Sequence, residues 1–120
     1  MNNENLKLRT KQFALRVIKL VESLPGDEVS KILGRQLLRA GTSVGANYRA
    51  VCRSKSVADF ISKMGTVEEG ADECGYWMEL LVEAGKVKTV KTSALMQEAS
   101  ELTAIAISSI NTARKSPNRR

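Results

Sequence analysis

The sequence predicts an all-α protein, an antiparallel up-down-up-down four-helix bundle that residues 1–115 form as a single domain. Apolar residues recur at helical spacing along most of the 120-residue chain, and the segments between these patterns are short. Aromatic residues make up only 4% of the chain, so Leu, Val, Ile and Ala supply most of the core. Residues 116–120 contain Pro117, which cannot continue a helix, and we expect them to be a disordered basic tail.

The first helix is predicted from about Leu6 to Leu24, with one apolar face and one basic face. Pro25 and Gly26 end it, because proline disfavours a helical residue before it and glycine tolerates a turn. Asp27 is a candidate N-cap for the next helix, since its carboxylate can accept a hydrogen bond from the backbone of the first turn.

The second helix is predicted over residues 28–53, because its apolar and basic faces keep one phase throughout. Its five basic residues fall within an arc of about 80° on a helical wheel. They are Lys31, Arg35, Arg39, Arg49 and Arg53.

A flank of this helix consists of small residues, including Gly34, Gly41 and Gly45. Glycine lets two helix backbones approach closely. Two interpretations remain open: a neighbouring helix of the same bundle packs here, or the flank is an oligomer seam that receives a helix from another subunit.

The third helix is predicted to begin at Val57, where Ser56 and Asp59 form a variant of the capping box. Its apolar residues alternate in steps of three and four, which is typical of left-handed bundle packing. Gly85 is a suitable residue to end it. Between Val57 and Gly85 there are seven acidic residues and one lysine, so the basic stripe of the second helix is a possible partner for these acids.

The fourth helix is predicted to begin with Thr92 or Ser93 as its cap and to run to about Lys115. Gly65, Gly70 and Gly75 weaken the third helix, and the sequence indicates close packing or solvent exposure at these positions without deciding between them.

Residues 36–49, QLLRAGTSVGANYR, are followed by SKSVADFISKM and GYWMELLVEAG. Together these stretches resemble the family of four-helix bundle proteins encoded within intervening sequences of bacterial 23S ribosomal RNA genes. The family usually carries an acidic residue shortly after the Asn, whereas Ala50 and Val51 follow Arg49 here. The resemblance implies a ring-like pentamer and a function linked to nucleic acid. A similar fold belongs to the accessory protein of diversity-generating retroelements, which works beside a reverse transcriptase.

The net charge of +6 and the pI near 9.6 favour an anionic partner. The bundle topology brings the start of the first helix, the loop between the second and third helices and the end of the fourth helix to one basic end. Stacking platforms are scarce, so we expect phosphate contacts to structured nucleic acid with little reading of bases. The nucleic acid is RNA or DNA, and we favour RNA. The predicted binding residues are Lys7, Arg9, Lys11, Arg35, Arg39, Arg49, Arg53, Lys55, Arg114 and Lys115. Near this end, Glu4 and Asp59 are the acids expected to oppose them.

Catalysis, metal binding and a cofactor are not expected. The chain has no histidine, no glycine-rich phosphate loop and no CxxC, since Cys52 and Cys74 lie far apart. The alternative to nucleic-acid binding is a scaffold that docks a partner protein, such as a reverse transcriptase. Residues 1–10 are polar, and the longest uncharged run, residues 102–113, is too short to span a membrane. We therefore expect a bacterial cytoplasmic protein, and the family resemblance implies that it is a homo-oligomer.

Overall fold

The computed structural model describes residues 3–115, which form four long antiparallel helices. They are α1 (Asn3–Glu22), α2 (Glu28–Val51), α3 (Val57–Glu83) and α4 (Thr89–Arg114). Five residues connect each helix to the next, which is short enough to make consecutive helices antiparallel neighbours. The bundle measures 51 × 21 × 19 Å, and the predicted all-α four-helix architecture is confirmed. The predicted tail at residues 116–120 lies outside the described residues.

The four helices surround one core in chain order. α2 packs against α1 and α3, and α3 packs against α4. α1 and α4 complete the circle, but they approach each other at far fewer positions than the other neighbouring pairs. Within residues 3–115 the bundle is therefore well packed at three of its seams and sparse at the α1–α4 seam.

The predicted N-caps of α2 and α3 are confirmed. The Asp27 carboxylate accepts hydrogen bonds from the Ser30 backbone N–H at 3.1 Å and from the Ser30 hydroxyl at 2.7 Å. The Ser56 hydroxyl accepts from the Asp59 N–H at 3.0 Å, while the Asp59 carboxylate accepts from the Lys55 N–H at 2.9 Å. These side chains satisfy backbone donors that a helix leaves unpaired in its first turn.

Gly85 ends α3 as predicted, with a φ of 75° that favours glycine. The Lys86 N–H donates to the Leu81 carbonyl at 2.9 Å, and the Gly85 N–H donates to the Val82 carbonyl at 3.0 Å. This pair of bonds is the Schellman motif, which satisfies carbonyls at the end of the helix.

The predicted start of α4 at Thr92 or Ser93 is wrong by three or four residues. The helix begins at Thr89, and its cap residue Lys88 makes no side-chain capping hydrogen bond. Thr92 is fully buried, and its hydroxyl donates to the Thr89 carbonyl at 3.1 Å. It lies on the same face as the buried Leu95 and Ala99, so its side chain contributes to the core instead of capping the helix.

α2 is one uninterrupted helix through the glycine-containing stretch, as its constant phase predicted. A Cβ atom at Gly41 would lie 2.7 Å from Val17 Cγ1, and one at Gly45 would lie 3.3 Å from Thr10 Oγ1. A Cβ at Gly34 would lie 3.1 Å from Leu24 Cδ1. All three neighbours precede α2 in the same chain, so the geometry supports packing within the bundle at the positions proposed as an oligomer seam.

Candidate nucleic-acid interface

Charge divides the bundle into two halves. α1 and α2 together carry nine Lys or Arg and three Asp or Glu, a net charge of +6. α3 and α4 together carry three Lys or Arg and nine Asp or Glu, a net charge of −6. The four helices sum to zero, and the net charge of the chain comes from its connections and ends. The basic region is thus a side of the bundle as well as the end that the sequence predicted.

A groove of about 500 Å³ runs between α1 and α2 on this side. Lys7, Lys11 and Arg49 line it, with Glu4 at its edge, and we call it the basic groove. Lys7 and Lys11 lie four residues apart on one face of α1, and the antiparallel packing brings the end of α2 beside them. Gly45 and Ala46 form part of the lining with almost no side chain. The groove therefore combines three cations with an accessible surface.

Two of these cations are available for a ligand. Lys7 lies 3.7 Å from the Glu4 carboxylate, which is 84% exposed, so this pair is weak. Lys11 and Arg49 are exposed, and neither forms an ion pair with any other residue from 3 to 115.

The basic stripe of α2 continues outward from this groove. Within α2 it covers 18 residue steps from Lys31 to Arg49, or about 27 Å at the helical rise, and Arg53 follows the end of the helix. Within the described chain, Arg39 is the member of the stripe that pairs with an acid of α3, namely Glu73. Glu73 also accepts from Trp77 Nε1 at 2.8 Å. The pairing of the stripe with α3 that the sequence left open therefore occurs at one residue.

Arg9 is directed away from the basic groove. Its Nε and Nη2 donate to Glu98 at 2.6 and 2.9 Å, and Nη2 also donates to Glu101 at 2.7 Å. Hydrogen bonding to Glu98 raises the pKa of Arg9 above its ordinary value. These two acids are not evident from the sequence, because they are about 90 residues from Arg9 and meet it only across the α1–α4 seam. Arg9 is thus an element of that seam.

The remaining predicted cations are dispersed around the end of the bundle. Arg53 follows α2, and its Nη1 donates to the Arg49 carbonyl at 3.2 Å. Lys55 is exposed in the next connection. Arg114 lines a groove between α3 and α4, on the acidic half, and Lys115 follows the last residue of α4. Arg35 is exposed on the stripe in the first half of α2, toward the other end of the bundle. The structure therefore groups Lys7, Lys11 and Arg49 and does not bring the other predicted residues together with them.

The aromatic rings do not contribute to the basic side. Tyr48 was the ring closest to the basic residues in the sequence, but it is only 4% exposed and donates to Asn3 Oδ1 at 3.1 Å. Tyr76 is 54% exposed, and it lies on α3 against Trp77. Within residues 3–115, the α1–α2 side therefore exposes cations and aliphatic side chains but no aromatic ring on which a base could stack.

Residues 3–115 contain neither a membrane-spanning helix nor a cluster of metal ligands. In that part of the chain no helix is both apolar and long enough to cross a bilayer. Over the same residues, no three Cys, Asp or Glu side chains converge as metal ligands would. Cys74 is buried, and burial raises the pKa of its thiol to about 12.

Comparison with known proteins identifies relatives of this bundle. A family profile described as 23S rRNA-intervening sequence protein matches residues 4–108. A crystal structure of a protein of unknown function from the S23 ribosomal protein family of Bacteroides thetaiotaomicron VPI-5482 has a TM-score of 0.80 and 32% sequence identity. The alignment covers 87% of this chain and 96% of that one. No curated protein matches. The sequence stretches, the four-helix fold and the family match agree, and the chain belongs to the 23S rRNA-intervening sequence protein family.

Proposed function

We propose that this protein is a non-enzymatic nucleic-acid-binding bundle whose α1–α2 side contacts the phosphates of structured RNA. The observation that carries the proposal is the basic groove, in which Lys11 and Arg49 have no acidic partner among residues 3–115. Lysine and arginine contacts to phosphate supply most of the sequence-independent affinity of such proteins.

The dimensions of the basic stripe also support this function. Its length of about 27 Å within α2 is enough for its cations to contact several phosphates along one structured nucleic acid. A rigid helix that presents cations over this length suits the regular backbone of a duplex better than a flexible single strand. Among residues 3–115 no exposed ring lies on the same side, which favours recognition of backbone shape over recognition of bases.

The test is RNA affinity as a function of salt, measured by fluorescence anisotropy with a labelled RNA hairpin. We expect Lys11→Gln together with Arg49→Gln to weaken binding by about tenfold and to reduce the salt slope by roughly two. The matched control is Lys88→Gln together with Lys91→Gln, which removes two exposed lysines at the other end of the bundle. This control should change affinity by less than about threefold.

The outcomes separate the two candidate functions. Equal losses in both double variants would mean that RNA responds only to net charge, and the basic groove would have no special role. No binding of the hairpin at about 50 mM salt would contradict the proposal. RNA binding that appears only after a partner protein is added would favour the scaffold function instead.

A further inference from the structure

A second groove, of about 960 Å³, lies at the same end of the bundle as the basic groove. One of its walls is the α2–α3 connection with the first turn of α3, and the other wall is the last turns of α4. Hydroxyl groups dominate it, and we call it the hydroxyl groove. Five of the nine described residues that line it are Ser54, Ser56, Ser108, Ser109 and Thr112.

Three of these hydroxyl groups are available to a ligand. Ser56 caps α3, and the Ser109 hydroxyl donates to a carbonyl of α4 at 2.8 Å. Within residues 3–115, by contrast, no hydrogen bond engages the hydroxyls of Ser54, Ser108 and Thr112. Ser108 and Thr112 are exposed and lie four residues apart on one face of α4, while Ser54 is half-buried on the opposite wall. The fold therefore leaves unengaged hydroxyls on both walls of one groove.

The rest of the lining suits a sugar better than an isolated phosphate. Lys55 is a cation of the groove, but the neighbouring Asp59 offsets its charge. The Asp59 carboxylate accepts from the Lys55 N–H at 2.9 Å and pairs with Lys63, also at 2.9 Å. Val57 and Phe60 are half-buried and form an apolar floor, with Phe60 packed against the core. A ligand here meets hydroxyl groups and apolar surface, as the hydroxyls and carbon ring of a ribose require.

The hydroxyl groove can recognise the group that distinguishes RNA from DNA. A serine or threonine hydroxyl both donates and accepts hydrogen bonds, whereas the lysine and arginine side chains of the basic groove only donate. The 2′-hydroxyl of ribose also donates and accepts, and DNA lacks it. A-form RNA displays these groups in a wide, shallow minor groove, where an exposed protein surface can reach them.

One RNA is long enough to contact both grooves. The bundle is 21 × 19 Å across its long axis, so grooves at one end of it lie within about 20 Å across the bundle. This distance corresponds to about six nucleotides of a stacked strand. Arg53 lies between Arg49 of the basic groove and Ser54 of the hydroxyl groove, and it is exposed. The surface that joins the two grooves is therefore also cationic.

We propose that the hydroxyl groove binds 2′-hydroxyl groups of the RNA whose phosphates lie in the basic groove, and that it selects RNA over DNA. The inference rests on the proposed function, because the basic groove supplies most of the affinity. The hydroxyl groove adds neutral hydrogen bonds to the sugar. Its contribution therefore depends on the chemistry of the ribose and not on the salt concentration.

Two hairpins of the same sequence test the selectivity by fluorescence anisotropy. One is the RNA hairpin, and the other carries fluorine in place of every 2′-hydroxyl. The 2′-fluoro hairpin keeps the A-form helix and its phosphates but cannot donate a hydrogen bond from the sugar. The RNA hairpin should bind the wild type about tenfold more tightly, which is the effect of two or three neutral hydrogen bonds.

A triple variant assigns this preference to the hydroxyl groove. Ser54→Ala, Ser108→Ala and Thr112→Ala together remove the three unengaged hydroxyls without changing the charge. The triple variant should bind the RNA hairpin about tenfold more weakly and keep the salt slope of the wild type. Its affinity for the 2′-fluoro hairpin should stay within about twofold of the wild type, which also shows that the variant is folded.

The matched control removes three exposed hydroxyls of α3 and α4 that do not line the hydroxyl groove. It carries Ser62→Ala, Ser93→Ala and Ser100→Ala. This control should keep the affinity of the wild type for both hairpins. A loss of RNA affinity equal to that of the triple variant would overturn the assignment to the hydroxyl groove.

The remaining outcomes separate this inference from the proposed function. Equal affinities of the wild type for the two hairpins would overturn the inference and leave the proposed function standing. Equal losses of the triple variant for both hairpins would also overturn it, because the hydroxyls would then contact phosphate instead of ribose. Failure of the wild type to bind either hairpin at about 50 mM salt would contradict the proposed function and the inference together.

Discussion

The α1–α2 and α3–α4 pairs have the same construction, two long antiparallel helices joined by five residues, but they use glycine and charge in opposite ways. In the first pair, Gly41 and Gly45 are closed by α1, and the pair carries a charge of +6. In the second pair, Gly65 and Gly75 face open space, and the pair carries −6. Glycine at helical spacing therefore indicates where a side chain is missing, but the neighbouring element decides whether that space is filled.

The largest expected effect comes from disrupting the closed pair. Gly41→Leu should lower the free energy of unfolding by about 3 kcal/mol, because even its Cβ atom would lie 2.7 Å from Val17. Urea unfolding monitored by circular dichroism measures the change. Gly41→Ala is a milder form of the same test: alanine favours the helix by about 1 kcal/mol, so any net loss reports the clash. An unchanged free energy of unfolding for both variants would mean that Val17 of α1 does not pack closely against Gly41.

A smaller effect is expected where the two pairs meet at the α1–α4 seam. Arg9→Met should lower the free energy of unfolding by about 1 kcal/mol, because it leaves Glu98 and Glu101 without their cation. Arg16→Met is the matched control, since Arg16 is exposed on α1 and forms no ion pair with the described residues. Equal changes in urea unfolding for the two variants would show that the ion pairs do not stabilise the seam.

The open pair should respond to glycine replacement in the opposite direction. Gly75→Ala should raise the free energy of unfolding by about 0.5–1 kcal/mol, because alanine restricts the unfolded chain and its Cβ meets no atom within 4 Å. Urea unfolding at a protein concentration where the chain is monomeric measures the change in the free energy of unfolding, which can then be compared with the change for Gly41→Ala. A loss of stability at Gly75 would remove the contrast between the two pairs.

The smallest expected effect concerns Asp27, in the connection between α1 and α2, which pairs with Lys86 in the connection between α3 and α4. Hydrogen bonds from Ser30, together with Lys86 at 3.1 Å, lower the pKa of Asp27 below its usual value. A lowered carboxyl pKa stabilises the fold above the ordinary value near 4, and this stabilisation is lost as the pH falls through the folded pKa. Asp27→Asn keeps a capping side chain but cannot ionise, so its thermal midpoint should fall less than that of the wild type below about pH 4. If the thermal midpoints of the two proteins fall equally as the pH is lowered, ionisation of Asp27 does not stabilise the fold.

The sequence was sufficient to predict the fold because the relevant signals are local. Asp27, Ser56 and Gly85 act within a few residues of their positions, and the apolar phase of α2 and α3 needs no partner to be recognised. Thr92 shows the limit of such signals. A threonine near a helix start can cap the helix or pack in the core. Thr92 packs in the core, and its local sequence does not show that the other helices bury it.

The candidate site was less predictable because its charges depend on packing between helices. The contact of Arg9 with Glu98 and Glu101 requires the register of α1 against α4, which the sequence does not specify. The pairing of Arg39 with Glu73 likewise needed the position of α3 beside α2. The basic stripe itself is visible in the sequence, whereas only the structure shows that, within residues 3–115, Arg39 alone among its members forms an ion pair.

The sparse α1–α4 seam has a consequence for the order in which the bundle comes apart. α1 is fixed firmly along α2, but its other edge depends on few contacts and on the ion pairs of Arg9. Partial opening there exposes the least surface, so backbone amides of α1 should exchange with deuterated solvent before those of α2 and α3. A helix that detaches at low free energy can also be traded between neighbouring copies, and the N-terminal helix is therefore the segment of this bundle best suited to domain swapping.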